Sequence, residues 1–135
     1  MTRYGAQFGP DITFLGVARC DLDTPSTYED ADIVILGAPF DGGTSFRSGA
    51  RFGPQAMRAT CYLPHDGSRP SLAMRVDGLA DMKVVDAGDV EMYSGDAATA
   101  CASLEAVVEK VAKTGAIPII LGGDHTITWP DVTGV

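Results

Sequence analysis

The sequence predicts an α/β fold: a three-layer α-β-α arrangement around a parallel sheet. Three observations carry that prediction. The runs IVILGA (33–38) and IPIIL (117–121) are continuous stretches of branched apolar residues without polar alternation, the pattern of strands buried on both faces. Between them, residues 96–114 show one apolar stripe at i, i+3/i+4 spacing, through Ala97, Ala100, Cys101, Leu104, Val107, Val108, Val111 and Ala112. The order strand, loop, helix, strand, helix, strand then requires right-handed crossovers and a helical layer on the sheet.

In chain order, residues 1–31 scatter Gly, Pro and Asp and read as an irregular N-terminal arm, with the α/β unit occupying 32–135. Asp32 and Pro39 bracket the first strand. A long glycine-rich loop, PFDGGTSFRSGARFG, follows it. Gly53-Pro54 then opens a short helix, QAMRATC, with proline at the first helical position where its missing N–H costs nothing. The second strand is MKVVDAG, 82–88. Ser94 or Asp96 caps the long helix, Lys110 and Lys113 suit its C-terminal dipole, and Gly115 ends it. The third strand follows at once.

Composition narrows the function classes. The 135 residues are 45% hydrophobic and 21% charged, which supports a packed core and excludes a disordered chain. A formal net charge of −8 speaks against nucleic acid and against a polybasic membrane anchor. The longest apolar runs are too short to span a bilayer, and MTRYGAQFGPD has no apolar h-region, so no secretory leader is expected. Cys20, Cys61 and Cys101 are odd in number and lack C-x-x-C spacing, which fits reduced thiols in the cytoplasm.

In open α/β sheets, ligands bind beyond the carboxyl ends of the strands. Here the three loops at that edge are GAPFDGGTSFRSGARFGP, DAGDVEM and GGDHT, and all carry glycine with a carboxylate or imidazole. In the last, His125 stands behind a Gly-Gly break. It reads either as a transition-metal ligand, with Asp124 orienting it, or as a hydrogen-bonded loop histidine beside an Asp124 that caps the next turn. In the first loop, Asp41 faces a cationic ligand or caps a turn, and Arg47 and Arg51 grip an anion or form structural ion pairs. Asp86 and Asp89 read as ligands or as turn residues. Neither phosphate-loop signature is present, which disfavours a nucleotide-binding domain. His65 and Trp129 receive no role, Trp129 being read as a packed side chain.

Taken together, GAPFDGGTSFRSGARFGPQAMR, VVDAGDV and ILGGDHTITWP resemble, in order and spacing, three blocks of the ureohydrolases, the arginase and agmatinase family. The upstream FLGVARCD is similar to the arm of agmatinase-type members. The resemblance implies an arginase-like fold and hydrolysis of a guanidino compound to urea and an amine. Agmatine stands first as substrate, with guanidinobutyrate next. It further implies two Mn²⁺ ions, because guanidinium is resonance-stabilised and a metal makes water a potent nucleophile near neutral pH.

By the same resemblance His125 is the first manganese ligand. The family's Asp-Ala-His-x-Asp and Asp-x-Asp motifs do not occur in these residues. The expectation is therefore the N-terminal part of a longer enzyme, inactive by itself, whose complete form is a homo-oligomer, trimer or hexamer. The alternative is a short non-catalytic paralogue that associates with a full-length homologue.

Overall fold

The computed structural model describes residues 4–5, 12–60, 70–71 and 73–135. Seven strands occur among them: β1 (Tyr4–Gly5), β2 (Ala18–Arg19), β3 (Ile33–Ala38), β4 (Pro70–Ser71), β5 (Val76–Asp77), β6 (Val84–Val90) and β7 (Ile117–Gly122). The helices are α1 (Gly53–Thr60), α2 (Ala97–Ala112) and α3 (Thr128–Gly134). A central parallel trio runs β6-β3-β7, with Val34 opposite Val85 on one side and Pro118 on the other. On the outer edge of β6, β2 pairs in parallel at Val85–Asp86 and β1 antiparallel at Asp89–Val90. The small strands β4 and β5 form a separate ribbon.

The strand period of two divides the core between the sheet's faces. Val34, Leu36, Ala38, Val85 and Ala87 pack with Ala100, Leu104, Val107, Val108 and Val111 of α2. On the other face Ile35 and Leu121 meet Val17 of the arm and Met57 of α1. Three layers result, as the unalternating strands predict. Each of the larger α2 side chains stabilises by roughly 1.5–3 kcal/mol on burial, so the α2 face carries more of the stability.

Several expectations shift in detail. The second strand begins at Val84, two residues late, and runs on to Val90 because a bulge between Ile35 and Gly37 lets pairing continue to Asp89. The long helix is capped by Asp96, whose side chain accepts the Thr99 N–H at 3.0 Å, while Ser94 accepts from Arg51 instead. Gly115 follows the helix with φ +88°. The stretch before residue 32 is more than an irregular arm: it adds β1 and β2 to the sheet and buries Cys20, Leu22 and Tyr28 in the larger core. A further helix, α3, forms in TWPDVTG, where Pro130 sits in the first turn and needs no N–H partner. Pro130 and Gly134 are its buried residues, so Trp129, read from sequence as packed, is 74% exposed. Cys61 and His65 lie outside the described residues.

Candidate functional site

His125 lies at the carboxyl edge of the sheet, one loop beyond β7, and opens a single 3-10 turn, His125–Ile127, that runs into α3. Its ring is exposed. Thr128 Oγ1 stands 3.1 Å from His125 Nδ1, which orients the imidazole and leaves Nε2 without a partner among the described residues. A side chain so placed can ligate a metal or exchange a proton.

Asp124 fixes the backbone beneath it. One carboxylate oxygen accepts the Thr126 N–H at 2.8 Å, capping the turn, and the other accepts the Gly43 N–H at 2.7 Å from the glycine-rich loop. The Asp124 N–H in turn donates to the Phe40 carbonyl at 2.8 Å. The two loops are thus in direct backbone contact, which is why glycine is needed at their meeting points. A Cβ on Gly43 would overlap the Thr126 hydroxyl, and one on Gly123 (φ +95°) would lie 2.5 Å from the Ala38 carbonyl oxygen. Asp124 therefore takes the capping role of the two read from sequence, and it adds a cross-loop tie that the sequence did not announce. The Gly122–Gly123 peptide is cis.

The glycine-rich loop is closed on itself by Asp41. Its carboxylate accepts the Gly49 N–H at 2.7 Å and the Arg51 Nε–H at 2.7 Å, and it pairs with Arg51 Nη2 as well. The Arg51 hydrogen bonds hold the Asp41 carboxyl down at a pKa of about 2. Arg51 also donates to Ser94 Oγ at 2.9 Å, tying the loop to the one after β6. Arg51 is therefore a structural ion-pair partner. Arg47 instead lies over the exposed Phe46 ring, 5.0 Å from its centroid.

Asp86 makes the turn-type bond read for it, accepting the Gly88 N–H two residues on, but Asp86 and Asp89 also take a role that neither reading held. Both are buried at the end of β6, and both bind Arg58 of α1, a residue the sequence reading passed over. Arg58 Nε donates to Asp86 Oδ2 and Nη2 to Asp86 Oδ1, each at 2.9 Å, while Nη1 pairs with Asp89. Asp86 also accepts the backbone N–H groups of Phe14 and Gly88, both at 2.8 Å. Burial works against the Arg58 charge, but Asp86 and then Asp89 outweigh it and raise its pKa. Gly37 on β3 makes the space, since a Cβ there would overlap the Asp89 carboxylate. The signal available in sequence was two acids inside an otherwise apolar strand, which demand a buried cation. Cys20, whose N–H donates to the Asp86 carbonyl, has its thiol pushed up to about 11 by burial and by that carboxylate, so it is inert.

The donor set does not by itself make a metal site. His125 supplies one nitrogen, each Asp124 oxygen already accepts a backbone N–H, and no group of three or more His, Cys, Asp or Glu among the described residues can hold an ion.

Comparison with known proteins decides the ancestry. The model of the arginase family matches residues 31–135. The chain belongs to the arginase family. Among its ureohydrolase relatives, the mitochondrial agmatinase of Gallus gallus is 35% identical over 84% of this chain and 33% of its own length. The proclavaminate amidino hydrolase of Streptomyces clavuligerus superposes with TM-score 0.75 at 28% identity, over 94% of this chain and 40% of that one. A formiminoglutamase of Trypanosoma cruzi, solved with Mn²⁺, superposes with TM-score 0.62 at 32% identity, over 78% of this chain and 35% of that one. The chain spans between 30% and 39% of the length of eight curated relatives that it matches. These arginase-family structures share the parallel sheet, so the fold expected from sequence is the fold observed. No helix among the described residues is long and apolar enough to cross a membrane.

Proposed function

We propose that this chain contributes His125 to a manganese-dependent guanidino hydrolase, with agmatine the leading substrate and guanidinobutyrate the next. The observation that carries the reading is the posture of His125: an exposed imidazole at the carboxyl edge of an arginase-family sheet, held by Thr128 and by the Asp124–Gly43 tie, with Nε2 free of hydrogen bonds among the described residues. The family membership supports hydrolysis of a guanidino or related group, and the manganese of the formiminoglutamase supports the metal. The substrate ranking rests on the agmatinase-like PFDGGTSFR and GGDHTITWP strings.

Because one imidazole cannot hold the metal and the described residues offer no group of three donors, this reading has the complete site draw its further ligands from outside the described residues, in an assembly of larger mass than 14.1 kDa. The reading includes a homo-oligomer and a cytoplasmic setting that keeps Cys20 and Cys101 reduced. Its test is urea release from agmatine and guanidinobutyrate by the protein isolated from its native source, with metal content measured in parallel. His125→Ala should lower manganese content and urea release together. Unchanged activity in that variant would remove His125 from the site. A native mass of 14.1 kDa without urea release would establish instead the short, non-catalytic paralogue, which the lack of a three-donor group among the described residues also accommodates.

A further inference from the structure

The glycine-rich loop leaves β3 and returns as α1, and it touches the GGDH segment at two points. Its first turn holds Asp124. The Phe40 carbonyl accepts the Asp124 N–H at 2.8 Å, and the Gly43 N–H donates to the Asp124 carboxylate at 2.7 Å. Its last residue meets the other end of the segment. A Cβ on Gly53 would lie 2.3 Å from the Gly122 carbonyl oxygen, so the start of α1 is packed on the end of β7. His125 follows directly on the residues gripped at these two points.

The span between the two points is set by the clasp inside the loop. Asp41 stands between Phe40 and Gly43, and its carbonyl accepts the Thr44 N–H at 3.2 Å to close the turn. Arg51 stands two residues before Gly53, in the 3-10 turn Ala50–Phe52. Its guanidinium directs Nε and Nη2 to the Asp41 carboxylate and Nη1 to Ser94 Oγ, 2.9 Å away in the loop after β6. The Asp41 side chain is fully buried, so water cannot take the place of that cation. One planar fork thus fixes the spacing of both grips and anchors them to a third loop. A lysine carries the charge but not the fork.

We infer that Arg51 is a positioning residue for His125. Through Asp41 and the turn at 40–44 it holds Asp124, and through the turn that leads to Gly53 it holds Gly122. The imidazole is placed between them without a hydrogen bond to Arg51 itself. The inference rests on the proposed function only in taking His125 as the group that must be placed.

Amide exchange and the Cε1–H proton signal of the His125 ring test it, in the protein isolated from its native source and freed of metal by chelation. The ring signal is the one that His125→Ala removes. Arg51→Lys should speed exchange of the Gly43 and Asp124 amides by about tenfold or more, with the Leu36 amide of the buried central strand unchanged. The same variant should shift the ring signal, and Ser94→Ala should shift it less. Where the metal-replete protein releases urea, Arg51→Lys should lower kcat by about tenfold or more with KM within about twofold, because misplacement slows the reaction more than it weakens binding. If Arg51→Lys does not fold, Asp41→Asn, which keeps the shape of the carboxylate, should move the same amides and the same ring signal.

An unmoved ring signal overturns the inference, whatever the amides do. So does exchange that quickens equally at Leu36, the result expected of an ion pair that only stabilises the fold. A raised KM at unchanged kcat overturns it too, by placing Arg51 in substrate binding. Exchange and the ring signal need neither metal nor turnover. A protein that releases no urea yet shows both shifts would therefore sink the hydrolase reading and leave this one standing.

Discussion

The segments DAGD (86–89) and GGDH (122–125) sit at the same edge of the same sheet, and in sequence they look alike: glycine and acid at a strand end. In the structure they are opposites. The two carboxylates of DAGD are buried and bound by Arg58, while the imidazole of GGDH is exposed, with one nitrogen free among the described residues. The difference teaches that a carboxylate at a strand end is not a ligand until its partners are counted. Asp86 is committed to four hydrogen bonds with Arg58, Phe14 and Gly88, which join α1, β6 and the arm beneath the loops. His125, by contrast, is supported from below by Asp124 and left open above.

The sharpest way to break this contrast is to remove the buried cation. Arg58→Ala should destabilise by about 3–5 kcal/mol, because it strands two buried carboxylates. Urea denaturation measures it, and a loss below 1 kcal/mol would mean the cluster is hydrated rather than closed. Gly37→Ala comes next, at about 1–3 kcal/mol, since the new methyl must displace the Asp89 carboxylate. The same denaturation series reads it, and Gly37→Ala and Arg58→Ala should fail to add, because they disturb one cluster.

Asp124→Ala should cost about 1–2 kcal/mol through the lost cap and the lost tie to Gly43. Amide exchange at Gly43 and Thr126 should quicken while Leu36 stays protected; unchanged exchange at Gly43 would deny the tie between the loops. The Asp41 clasp predicts a pH dependence. Its carboxyl, held near 2 in the folded chain, ionises near 3.9 when unfolded, so its contribution is complete above about pH 4 and is lost as pH falls toward 2. Thermal melts across that window should lose part of their slope in Asp41→Asn. The smallest effect belongs to His125→Ala, within about 0.5 kcal/mol of wild type in stability, because an exposed ring supports little packing. A large loss there would place His125 on the structural side of the comparison.

Much of the fold was legible because the hydrophobic pattern is strong. Ile33–Ala38 and the body of the long helix lie where period and composition put them, and the third strand ends one residue beyond its expected limit. The misses share a cause. Val84–Val90 outruns its pattern because β1 and the bulge at Gly37 supply pairing that no local window contains. Trp129 is exposed because Pro130 and Gly134 are the buried residues of α3, a helix that the apolar pattern did not announce. Arg58 went unnoticed because its meaning depends on Asp86 and Asp89, 28 and 31 residues away.

The sequence by itself determined the layered α/β architecture and the order of its elements, since apolar periodicity is a local property written in each segment. It also brought the three polar loops to one edge, because parallel strands joined by crossovers leave no other place for them. Only the tertiary structure decided which polar residues at that edge are structural and which is available for chemistry. That choice is made by partners distant in sequence: Arg58 neutralises the buried acids, Arg51 closes the loop on Asp41, and Gly43 meets Asp124 beneath His125. A charged group's role follows from whether a complementary group shares its low-dielectric surroundings, and that is a fact of three-dimensional proximity.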